Sequence, residues 1–132
     1  GLKRMRLKEL TEKRNAIVFC GIGEPGSFRK LLNDLGINVK GFITYPDHHN
    51  FSNKNINEII HKYKDTGSDC ILTTQKDFVR IKNSELVLKS KSENPYKNIL
   101  YNYPLFYAKI KMQINKNSEI LDNELNRLLR NE

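Results

Sequence analysis

The chain has 132 residues, 38% hydrophobic and 29% charged, with a formal net charge of +8. This length suits one domain with a modest core, and the apolar share is too high for a disordered segment. No uncharged apolar run reaches bilayer-spanning length and none reads as a signal peptide, which argues against an integral-membrane class. The sequence opens on Gly1 rather than methionine, which fits a chain begun inside a longer protein and equally one processed at its start.

Half of the net charge lies in residues 1–15, where Lys3, Arg4, Arg6, Lys8, Lys13 and Arg14 outweigh Glu9 and Glu12. This segment reads as a basic arm or linker, with residues 16–132 as a single α/β domain. The arm suits an anionic surface. Arginine–aromatic interleaving and a helix-turn-helix or RNA-recognition signature are missing, so specific nucleic-acid binding is not expected. Cys20 and Cys70 end or begin apolar runs and read as buried free thiols of a reducing compartment; without a CxxC pair, no structural zinc site is expected.

Residues 16–20 form a short apolar run of strand length closed by Gly21. Pro25 suits the first turn of a following helix, in which Phe28, Leu31, Leu32 and Leu35 recur at helical spacing before Gly36. Residues 39–45 read as a second strand ended by Pro46. Ser52 is placed to cap a second helix with Ile56, Ile59, Ile60 and Tyr63 on one stripe and Gly67 at its end. Residues 69–74 supply a third strand. The polar, lysine-rich stretch 82–98 reads as a loop with at most a short strand around Leu86–Leu88. Phe106, Ala108, Ile110, Met112 and Ile114 alternate as in a half-exposed strand near a sheet edge. From Ser118, Leu121, Leu125, Leu128 and Leu129 suggest a capped amphipathic C-terminal helix. Strand, helix, strand, helix, strand with short connections predicts βαβ units. The expected fold is a three-layer α/β domain with a mainly parallel sheet.

In such sheets ligands gather at the carboxyl ends of the strands. Three loops leave those ends: 21–26, 45–51 and 73–77. The first, Gly21-Ile22-Gly23-Glu24-Pro25-Gly26, matches GxGxxG, with Asp47 available as a ribose acid. Pro25 removes one amide from that turn, so a structural strand-to-helix turn built on Gly21 and Gly23 competes with nucleotide binding, and Gly23→Val is expected to strain it. In the second, Asp47-His48-His49 offers an imidazole base with an orienting acid, or only an exposed Asx-type turn. No metal ion is expected there, because adjacent residues in extended chain point apart. In the third, Thr73-Thr74-Gln75-Lys76-Asp77 suits phosphate contact or an internal Lys–Asp pair.

In this order and spacing the three loops resemble the C-terminal part of the tetraacyldisaccharide 4'-kinases, the lipid A 4'-kinases of Gram-negative bacteria. The family pattern runs approximately F-C/A-G-I-G-N-P-x-x-F, D-H-H-x-Y/F and T-T-E-K-D. This chain has Phe19-Cys20-Gly21-Ile22-Gly23-Glu24-Pro25 with Phe28, Asp47-His48-His49 with Phe51, and Thr73-Thr74-Gln75-Lys76-Asp77. Glu24 stands for the usual asparagine and Gln75 for the usual glutamate. The resemblance implies transfer of the γ-phosphate of ATP, with Mg²⁺, to the 4'-hydroxyl of a lipid-linked disaccharide 1-phosphate at the cytoplasmic face of the inner membrane. It further implies that ATP is held by an N-terminal P-loop domain. The chain itself contains no GxxxxGK[ST], so no cofactor and no kinase activity are expected of it alone. His48 takes the role of the family's DHH-loop histidine near the acceptor hydroxyl, with Asp47 and His49 in support, and Thr73, Thr74, Lys76 and Asp77 form the loop on the substrate or phosphate side. The competing readings are a Rossmann-like small-ligand module using Gly21–Gly26 and a DHH-type phosphoesterase. The latter requires further metal-binding aspartates that this sequence lacks.

Overall fold

A computed structural model describes residues 2–6, 14–113 and 118–128. In chain order these form β1 (Leu2–Arg6), β2 (Asn15–Cys20), α1 (Pro25–Asp34), β3 (Asn38–Thr44), α2 (Asn53–Thr66), β4 (Cys70–Thr74), α3 (Gln75–Lys82), α4 (Glu85–Leu88), α5 (Pro95–Asn102), β5 (Leu105–Gln113) and β6 (Ser118–Leu128). One six-stranded sheet has the order β1-β6-β5-β4-β2-β3. β3, β2, β4 and β5 run parallel, whereas β6 is antiparallel to β5 and β1 antiparallel to β6.

The central parallel strands β2 and β4 are buried on both faces because helices cover both. On one side Ala16, Val18, Cys20 and Leu72 pack with Phe28 and Leu32 of α1. On the other, Ile17, Phe19 and Ile71 pack with Ile56, Ile59 and Ile60 of α2, Phe78 and Ile81 of α3, and Ile99 and Leu100 of α5. Alternate residues of β2 thus feed two cores, which makes the three layers. Each fully buried side chain of this size stabilises the fold by about 1.5–3 kcal/mol. The helix signals operate as chemistry requires. Pro25 opens α1, Ser52 accepts from the Asn55 amide in a capping box, and Gly67 closes α2 at φ 62°.

Several expectations are corrected. The C-terminal segment from Ser118 is strand β6, not a helix. Leu121 and Leu125 are four apart, a multiple of the strand period as well as nearly a helical turn. Pairing with β5 satisfies a backbone edge that a helix would leave open. For the same reason β5 is interior rather than near the edge, and Leu105 to Ala108 are all buried. Residues 82–98 contain α4 and most of their last part belongs to α5, where a loop was expected, because Ser84 and Asn94 each cap a short helix. Within the basic arm, Leu2–Arg6 form the outermost strand of the sheet.

Since β2, β3 and β4 are mutually parallel, their carboxyl ends share one edge. All three candidate loops leave from that edge.

Candidate functional site: the strand-end cluster

The turn from β4 into α3 is the frame of the site. No loop intervenes, because Thr74 ends the strand and caps the helix, accepting from the Asp77 amide at 3.2 Å. Thr73 donates to the Phe19 carbonyl at 2.8 Å, which ties β4 to β2. Thr73, Thr74 and Asp77 are all buried. They are structural polar groups and do not line an open phosphate site. Lys76 and Asp77 do not pair with each other, since neighbouring helical residues diverge by about 100°. Instead the Asp77 carboxylate accepts from the Gly21 amide at 2.9 Å and from the Thr74 hydroxyl at 2.7 Å. Its second oxygen, Oδ1, is buried with no hydrogen-bond partner.

Gly21 needs to be glycine for a definite reason. A Cβ there would lie 3.1 Å from the Pro46 carbonyl oxygen and 3.4 Å from His49 Cβ and Asp77 Oδ1. Three loops therefore close on one point. Gly23, expected to be strained, is not. Its φ is not positive, and a Cβ would meet only Asp47 Oδ2 at 3.6 Å. Pro25 sits in the first turn of α1 behind Glu24, whose side chain makes no capping bond.

The DHH turn splits its two histidines. His49 folds inward: its ring stacks on Tyr45 (centroids 4.8 Å apart), meets Phe51 edge-on at 5.3 Å, and lies 2.8 Å from Asn55 Oδ1 through Nε2. His48 points outward with 71% of its side chain exposed, at φ 61°. It is the one non-glycine residue among those described that occupies the left-handed region. Such a backbone costs of order 1–3 kcal/mol, and residues so held cluster at functional sites.

Two groups one helical turn apart on α3 meet this turn. Lys76 Nζ lies 3.4 Å from Asp47 Oδ1, and Arg80 lies 2.7 Å from His48 Nδ1 while donating to the His49 carbonyl at 3.3 Å. His48 Nε2 faces Asp47 Oδ2 at 3.7 Å. Partial desolvation pushes the Asp47 carboxyl up, but the charges of His48 and Lys76 and their hydrogen bonds outweigh it and hold it below its ordinary value. Asp47 is thus a carboxylate at neutral pH. Cys20, at the end of β2, is no nucleophile: burial, then the nearby Asp77 charge, pushes its thiol up to about 12. Beside Arg80 opens a cavity of about 520 Å³ lined also by Asn50, Phe51, Ser84, Glu85 and Tyr96. Among the described residues no three His, Cys, Asp or Glu side chains gather as a metal site would require.

Of the residues expected from sequence, Asp47, His48 and Lys76 converge on the surface, while His49, Thr73, Thr74 and Asp77 hold the scaffold beneath them. Arg80, Asn55 and Tyr45 were missed. For Arg80 a signal existed, since it lies four residues beyond Lys76 and so shares its helix face.

The family model described as tetraacyldisaccharide-1-P 4'-kinase matches residues 2–130. The chain belongs to this family. Among curated kinases of the family, the tetraacyldisaccharide 4'-kinase of Aquifex aeolicus is 32% identical over 105 residues, covering 75% of this chain and 30% of that protein. That of Syntrophus aciditrophicus is 36% identical over 81 residues, covering 61% and 21%, and that of Rickettsia bellii 32% over 98 residues, covering 70% and 30%. The chain thus spans less than a third of the length of these kinases. No solved structure matches it.

Proposed function

We propose that this chain is the acceptor-side, C-terminal domain of an ATP-dependent tetraacyldisaccharide 4'-kinase. The complete protein would transfer a phosphoryl group to the 4'-hydroxyl of a tetraacyldisaccharide 1-phosphate in lipid A synthesis. The observation that carries this reading is the exposed, conformationally strained His48, fixed between Asp47 and Arg80 at the carboxyl edge of a parallel sheet. An imidazole held in place by Asp47 and Arg80 but open to solvent is placed to act on another molecule.

Phosphoryl transfer depends mainly on positioning and on stabilising charge, with little covalent work for the protein. In this scheme the turn brings His48 to the sugar hydroxyl, where it orients that group and assists its loss of a proton. Asp47 holds the turn through Lys76 and the His48 amide. ATP and Mg²⁺ belong to a P-loop domain elsewhere in the complete protein, since this sequence has no phosphate-binding GxxxxGK[ST]. Closure of the two domains would exclude water from the γ-phosphate. The lipid substrate places the enzyme at the cytoplasmic surface of the inner membrane, where the basic residues of the first strand and its flank suit anionic headgroups. No helix among the described residues is long and apolar enough to cross that membrane.

The Rossmann-like alternative fares worse on physical grounds. The Gly21 amide already donates to buried Asp77, and Glu24 and Asp47 place carboxylates around the same turn. A pyrophosphate would meet repulsion there instead of free amides. The test is phosphorylation of a tetraacyldisaccharide 1-phosphate by the complete protein. A mass gain of one phosphate on the non-reducing sugar supports the proposal, and a protein that turns over ATP without modifying this acceptor contradicts it.

A further inference from the structure

The contact between Arg80 and His48 has a chemical consequence. A guanidinium has five N–H donors and no acceptor lone pair, and it stays protonated at any physiological pH. Its approach to 2.7 Å from His48 Nδ1 therefore requires that nitrogen to be the acceptor. The imidazole proton of the neutral ring then resides on Nε2, the atom that faces Asp47 Oδ2 at 3.7 Å. The arrangement is braced at three points. Arg80 also donates to the His49 carbonyl at 3.3 Å, the His48 amide donates to Asp47 Oδ1 at 3.0 Å, and the left-handed backbone at φ 61° turns the ring toward α3. Arg80 sits in the last turn of α3, where a cation would gain from the helix dipole without any partner. Dipole stabilisation alone does not account for the guanidinium reaching two successive residues of the DHH turn.

We infer that Arg80 is a positioning residue that fixes His48 in the Nε2–H tautomer. With Nδ1 occupied, the ring presents only Nε2–H to an incoming group. Arg80 also lines the adjoining cavity of about 520 Å³, so it couples the turn to whatever part of the acceptor enters there.

The inference rests on the reading of His48 as the acceptor-side imidazole, but its test does not depend on activity. Long-range ¹H–¹⁵N correlation spectra of the chain, recorded above the titration range of its histidines, report which ring nitrogen of His48 bears the proton. The expected result is a dominant Nε2–H form with a hydrogen-bonded Nδ1. In Arg80→Met the Nδ1 resonance should move toward that of an unbonded lone pair and the Nδ1–H tautomer should gain population. A His48 that is mainly Nδ1–H in the parent chain, or an Nδ1 resonance unmoved by Arg80→Met, overturns the assignment. In the complete kinase, Arg80→Met should lower kcat by about 10- to 100-fold, as loss of an orienting partner does, with the acceptor KM little changed. If His48→Ala is impaired while Arg80→Met keeps parental kinetics, the positioning role falls and the functional reading stands. If His48→Ala is itself fully active, the functional reading falls. Should Arg80→Met not fold, Arg80→Lys keeps the stem and the charge and carries both measurements, with intermediate shifts in each expected and parental values in both overturning the role.

Discussion

Gly21 and Asp77, 56 residues apart in the chain, are joined by a buried hydrogen bond of 2.9 Å from the glycine amide to the aspartate carboxylate. The bond ties the end of β2 to the first turn of α3. The Pro46 carbonyl, only 3.1 Å from where a Gly21 Cβ would stand, brings in the DHH turn from the third side. A candidate site made of three separate loops is thereby referred to one buried point.

Gly21→Ala should therefore destabilise the chain by about 1–3 kcal/mol, because its methyl group presses on backbone that cannot yield as a side chain would. Gly23→Ala should stay within about 0.5 kcal/mol, since its added carbon meets only ordinary contact. Urea unfolding of the two variants, with midpoints and slopes compared, checks the contrast.

Asp77→Ala leaves the Gly21 amide without its acceptor in a buried site, and should cost about 1–3 kcal/mol. Asp77→Asn keeps one carbonyl oxygen for that amide and should cost less. Equal losses for the two in thermal melts would mean that volume at this site matters and the hydrogen bond does not.

The two buried thiols set an alkaline limit. Burial, helped by Asp77, pushes Cys20 up to about 12, and burial likewise pushes Cys70 up to about 12. In the unfolded chain both ionise nearer their ordinary value of 9.0. Between these values the unfolded state binds fewer protons than the folded one, so stability falls as pH rises. It is fully present below pH 9 and is lost progressively toward pH 12. Denaturation midpoints measured from pH 8 to 11 should fall less steeply in Cys20→Ala/Cys70→Ala than in the parent, and thiol alkylation at pH 8 should track unfolding.

His49 should behave as a half-buried structural residue. His49→Ala removes the stack on Tyr45 and the contact with Asn55 and should destabilise by about 1–2 kcal/mol. His49→Phe, which keeps the ring, should recover part of that loss in the same melting experiment.

Much of the fold was legible because the parallel strands and their two long helices each carry a local signal. Ser52 and Gly67 bracket α2, and Pro25 opens α1. The end of the chain was not legible, since Leu121 and Leu125 fit helix and strand spacing alike and only the open edge of β5 decides between them. In the site, the motif fixed which turn mattered but not how its neighbours divide the work. Asp47, His48 and His49 are consecutive, and only the left-handed backbone at His48 separates an outward imidazole from an inward one. Arg80 escaped notice because its meaning depends on a contact 32 residues away.

The division between the two histidines is the centre of this account, and a paired substitution tests it. In the complete kinase His48→Ala should lower kcat by about 10²–10⁴-fold, the range of a group that assists proton movement, with little change in melting temperature. His48→Gly should be as impaired but at least as stable as the parent, because glycine relieves the strain at φ 61°. His49→Ala should lose stability first and activity only through it. Parental turnover in His48→Ala, or a kcat loss in His49→Ala equal to that of His48→Ala at matched stability, would contradict the account.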